Sequence, residues 1–132
     1  MKIWLGRLLI GSVLFFNIEC ALSFIIKPEV FIQGFELSGV TGEAMLQGLG
    51  VLFLMWNVPY AFAVWSPVKY RISLYEAILM QAIGASGETL ILISLSGYHP
   101  AVQNTVLRFI AFDTFGLVAL IVAAWITRQK QS

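Results

Sequence analysis

Three acids and one base stand inside long apolar runs, where charge is expensive: Glu19, Glu88, Asp113 and Arg108. Glu88 sits in "GASGETLILISLS", a stretch otherwise made of apolar, small or hydroxylated residues. A carboxylate in such a place braces a neighbouring helix by hydrogen bonding, carries a proton or cation, or works as a general acid or base. One guanidinium cannot neutralise three acids. At least one of them is therefore expected to be protonated, hydrated or bound to a cation, because an unpaired charge in a low-dielectric setting is costly. The structural reading stands beside it: polar contacts between membrane helices contribute on average only about 0.6 kcal/mol.

The elements that must position these groups follow from composition. The 132-residue chain is 59% hydrophobic and 11% charged, with a mean hydropathy of +0.87; soluble domains carry about 25% charge. This is the composition of an integral membrane protein. Four apolar segments, about 4–26, 43–65, 73–95 and 105–127, each reach the roughly 20 residues that cross a bilayer core. Turn chemistry separates them: "KPEVFIQGFELSGVTG", "SPVKYR" and "SGYHPAVQN". The expected fold is a single all-α domain over 1–132, an integral membrane four-helix bundle. The first joint alternates polar residues with Val30, Phe31, Phe35 and Leu37, which suits either a segment lying on the membrane or an ordinary loop. The start, "MKIWLGRLLIGSVLFF", has a signal-like basic end and apolar run but no small-x-small site after it, so it reads as a retained first helix.

Lys2, Arg7, Lys69, Arg71, Arg128 and Lys130 fall on one side of this layout, and only Lys27 and Arg108 on the other. The positive-inside rule then makes both termini cytoplasmic, in a multi-pass protein of the inner cell membrane. Tyr60, Trp65, Tyr70 and Trp125 are expected at the inner interface. From the helical rise of about 1.5 Å per residue, Glu19 and Glu88 lie about 6 Å to the outer side of their segment centres, Asp113 about 4 to 5 Å and Arg108 about 12 Å. All four belong to the outer half. Glu19 and Glu88 also occupy equivalent places in the parallel first and third segments, a faint sign of two related hairpins.

Helical phase adds a supporting polar stripe. Glu43, Gln47, Gly50, Leu54 and Asn57 recur at steps of three and four, while Gln81, Gly84 and Ala85 share the face of Glu88, and Ser12 and Ser23 that of Glu19. Lipid cannot satisfy such stripes, so they must face protein or water. Small residues, among them Gly6, Gly11, Gly48, Gly50, Gly84, Gly87 and Gly116, suit close helix approach. Pro59 predicts a kink between Met55 and Pro59. Glu76 is expected to pair with Arg7 or Arg71, Glu43 to sit at the membrane rim, and His99 to lie exposed without a partner. Cys20 reads as a packing residue, and as a lone cysteine it excludes an internal disulfide.

An early Arg7 with Gly11, a long outer joint and the run "GEAMLQGLGVLFL", where Glu43 precedes Gly48 and Gly50, resemble the DoxX-like group of small bacterial four-helix membrane proteins. The resemblance implies the four-helix layout and, since some members are similar to accessory subunits of membrane redox complexes, a partner-docking role. No catalytic motif, HExxH-type metal spacing or phosphate-binding glycine loop is present, and no cofactor, metal or nucleic acid is expected. The leading expectation is an accessory membrane subunit whose outer-half cluster, Glu19, Glu88, Asp113 and Arg108, fixes the bundle, docks a partner or second copy, or holds a small apolar or lipid ligand. The alternative is a proton-coupled carrier of small lipophilic or cationic compounds. An enzyme acting on a lipid or isoprenoid through Glu88 and Asp113 comes third.

Overall fold

The computed structural model describes residues 1–128; Lys130, counted above among the basic residues of one side, lies outside them. Among the described residues there are six α-helices: α1 (Lys2–Ile26), the single turn α2 (Pro28–Phe31), α3 (Gly39–Trp56), α4 (Val58–Trp65), α5 (Arg71–Ser94) and α6 (Pro100–Ile126). A 3-10 turn, Ile32–Phe35, follows α2. Four helical stretches are long and apolar enough to cross a membrane, with α3 and α4 counting as one. All four start earlier than the apolar runs suggest, the second and fourth most clearly, at Gly39 rather than 43 and at Pro100 rather than 105. Gly39 takes up a positive φ of 67° that ends the joint, and Pro100 occupies a first-turn position where its missing N–H costs nothing.

The second span is broken at Asn57. Pro59 has no N–H to offer the preceding turn, and the Asn57 N–H turns to the Leu54 carbonyl at 3.2 Å. The Asn57 side chain then donates to the Phe53 carbonyl at 2.6 Å, satisfying the acceptor that the break would otherwise orphan. The halves go different ways: α4 packs against both α1 and α5, whereas α3 packs against α1 and makes no comparable contact with α5.

Two apolar cores result. At the end where α1 begins and α6 stops, Ile10, Val13, Ala63, Leu74, Ala77, Leu120 and Ala123 close a four-helix core. There Arg7 Nε donates to the Val64 carbonyl at 2.9 Å, and Arg71 donates to the Ala124 carbonyl and to Thr127 Oγ1. These guanidinium groups cap the last carbonyls of α4 and α6, so neither forms the expected pair with Glu76, which is exposed. At the opposite end, Phe24, Ile32 and Leu46 form a second core with Phe31, Phe35, Phe53 and Phe109 around them. The first joint is thus folded over the bundle end. Thr105 Oγ1 donates to the Gly34 carbonyl at 2.7 Å, and His99, expected to be unpartnered, pairs with Glu36 at 2.6 Å.

Glycines act where backbones converge. A Cβ on Gly6 would strike Thr127, and one on Gly50 would stand 2.7 Å from the Ala21 carbonyl oxygen. Gly48 and Gly87 face open space and make no such approach. Around the outside, Leu8, Phe15, Met45, Leu79, Ile83, Leu90, Phe115 and Val118 form an exposed apolar belt.

Candidate functional site

Between the two cores lies a cavity of about 360 Å³. It exists because α3 parts from α5 beyond the Asn57 break, leaving a gap that α1 and α6 flank. Phe16, Phe53, Trp56, Phe109 and Phe112 supply aromatic walls, and Glu19, Glu88, Asp113, Arg108, Asn57 and Gln81 supply polar ones. The four ionisable residues singled out by their depth in the sequence therefore reach one space.

A hydrogen-bonded floor crosses the cavity. Asn17 Nδ2 donates to Asn57 Oδ1 at 3.1 Å, tying α1 to the break. The Tyr60 hydroxyl donates to Gln81 Oε1, and Gln81 Nε2 donates to Asp113 Oδ1 at 2.9 Å. Tyr60 and Gln81 are each 3% exposed; Tyr60 belongs to the interior, not to the interfacial belt expected for it, because its hydroxyl finds a partner across the bundle. Two glycines make room for this chain. A Cβ on Gly116 would lie 2.5 Å from Gln81 Nε2, and one on Gly84 would collide with Asp113 Oδ2. The small residues of α5 and α6 thus accommodate polar side chains as well as neighbouring backbones.

The carboxylates differ in their surroundings. Asp113 is half-buried and held by Gln81. Glu88 is half-buried, and its Oε2 atom is fully enclosed without a hydrogen-bond partner. Glu19 is exposed, with Ser23 Oγ donating to it at 3.4 Å. The cluster is accordingly more open than the buried one expected, since α3 does not close over it. Arg108 is exposed too, and it forms no ion pair with any of the three acids; among the described residues the only ion pair is His99 with Glu36. Glu43 and Gln47 lie beyond the cavity, where Gln47 Nε2 donates to the Ile25 carbonyl at 3.1 Å and ties α3 to α1.

Asn17 and Tyr60 line the same cavity, and spacing did not reveal them. Each is a single polar group in an apolar run, and its partner comes from another helix. The signal available was the type itself: an amide or hydroxyl deep in an apolar segment needs a partner. Cys20, half-buried, also reaches the wall. Among the described residues no group of three His, Cys, Asp or Glu side chains could hold a metal ion.

No family model, curated protein or solved structure matches the chain.

Proposed function

We propose that the chain is a four-span protein of the inner cell membrane, with both termini cytoplasmic, that holds a small amphiphilic molecule in the cavity between α3 and α5. The observation that carries this reading is the meeting of aromatic walls with unfilled polar groups in one space of about 360 Å³. That size lies within the range of about 300–1,000 Å³ common for small-molecule sites, which are apolar with a few placed polar groups. Insertion is supported by four apolar helices and an exposed apolar belt of a kind soluble monomers avoid. Orientation is supported by Lys2, Arg7, Lys69, Arg71 and Arg128 at the end of the bundle where α1 begins and α6 stops. The likeness of "GEAMLQGLGVLFL" to DoxX-like proteins belongs to the same proposal and supports the layout alone.

An accessory subunit that presents such a ligand to a partner fits this geometry. A proton-coupled carrier is the second reading, favoured by one observation: three carboxylates reach the cavity and none is neutralised by Arg108. The test is native mass spectrometry of the protein purified in mild detergent, beside Cys20→Phe, which fills the cavity from α1. One small organic molecule per chain, lost in Cys20→Phe while the fold is retained, is the expected result. An unliganded parent, or the same adduct on both proteins, contradicts it.

A further inference from the structure

Charge around the cavity is unevenly matched, and the imbalance points to the class of ligand. The neutral groups bond mainly among themselves: one N–H of Asn17 goes to Asn57, one of Asn57 to the Phe53 carbonyl, the Tyr60 hydroxyl to Gln81, and one N–H of Gln81 to Asp113, each amide keeping a second N–H. The unmatched charge is on the acceptor side, three carboxylates against one guanidinium. Glu88 makes no hydrogen bond and encloses an unpartnered oxygen, and Asp113 keeps Oδ2 free. A guest with a carboxylate or carbonyl head finds Arg108 as its one charged donor, at the exposed margin. A guest that carries N–H donors or a positive charge finds three acids and a set of aromatic faces, whose quadrupoles attract cations. Among the described residues the acids do not converge as metal ligands, so the guest that fits them is an organic cation and not a metal ion.

Building on the cavity as a ligand site, we propose that its occupant is a monovalent organic cation, an amine or quaternary ammonium on an apolar body, with Glu88 as its principal counter-ion. Asp113 is held back by Gln81, and Glu19 stands at the exposed margin.

Cys20, the sole thiol and part of the cavity wall, reports on this directly. Its modification rate in the folded protein is measured with trimethylammonioethyl and sulfonatoethyl methanethiosulfonates, each normalised to a free thiol, so that the thiolate fraction cancels. The cationic reagent is expected to be favoured, and Glu88→Gln to lower that preference several-fold, since loss of one negative charge slows the cationic reagent and speeds the anionic one. Protection of Cys20 against neutral methyl methanethiosulfonate is then compared for benzyltrimethylammonium and its uncharged isostere neopentylbenzene. Protection by the cation alone, lost in Glu88→Gln, supports the proposal. Equal protection by the isostere, or a preference for the sulfonate, overturns it while leaving the cavity a ligand site. Protection by neither probe, or a Cys20 that no reagent reaches, overturns both. Should Glu88→Gln fail to fold, Glu88→Asp, which retracts the charge, is expected to weaken cation protection, and unchanged protection counts against Glu88.

Discussion

Gly84 and Asp113 show how one residue type serves another at the smallest scale. Alanine at a helical glycine ordinarily gains about 1 kcal/mol of helix propensity. At Gly84 the added methyl would meet Asp113 Oδ2 and force the carboxylate away from Gln81, an overpacking cost of about 1–3 kcal/mol. Gly84→Ala is therefore expected to lower the detergent melting temperature, whereas Asp113→Asn, which keeps the acceptor for Gln81, stays within about 1 kcal/mol of the parent, the scale of polar contacts between membrane helices. Equal melting of Gly84→Ala and the parent would mean that Asp113 does not lie over Gly84. The depth of Asp113 and its small neighbours were legible in the sequence. The contact was not, because it joins residues on α5 and α6, and single-chain periodicity reports faces of one helix only.

Among the elements, the break between α3 and α4 decides where the interior is solid and where it is open. The sequence announces it through Pro59, yet Pro59 alone does not say that α4 stays on α5 while α3 leaves it; that divergence depends on Asn57 bonding both Phe53 and Asn17. With Asn57→Ala and Pro59→Ala combined, the continuous helix regains its backbone hydrogen bonds, and α3 is expected to swing toward α5. Thermal stability should hold or rise, while protection of Cys20 by benzyltrimethylammonium disappears, a loss of function without a loss of fold. Unchanged protection in the double variant would show that the gap does not depend on the break. The first joint offers a contrast. Its alternating apolar residues left surface and loop open as readings, and what settles it is Phe31 and Phe35 packing on Phe24, with ring centroids 5.4 and 5.8 Å away. Phe35 also meets Phe109 of α6, with centroids 6.2 Å apart, a partner so far away in sequence that no local pattern could show it.

For the whole molecule, hydropathy and the distribution of lysine and arginine carry the organisation, since four consecutive spans leave few arrangements. The positive-inside bias predicts that the 27–42 and 96–104 joints face outward. In a Cys20→Ala background, a cysteine placed at exposed Gln33 should react in intact cells with a membrane-impermeant maleimide; reaction only after the membrane is breached would invert the orientation. What hydropathy could not show is the space inside. Apolar spans satisfy the same composition whether they pack solid along their length or part around a guest, and here the difference arises from the Asn57 break and the acids beyond it. That space can be tested with the chain's own thiol. The reaction rate of Cys20 with methyl methanethiosulfonate in the folded protein is compared with that of Ala77→Cys, made in the Cys20→Ala background at a position with 0% exposure in the closed core. A cavity between the two cores predicts that Cys20 reacts several times faster, and a Cys20 as protected as the cysteine at 77 would contradict it.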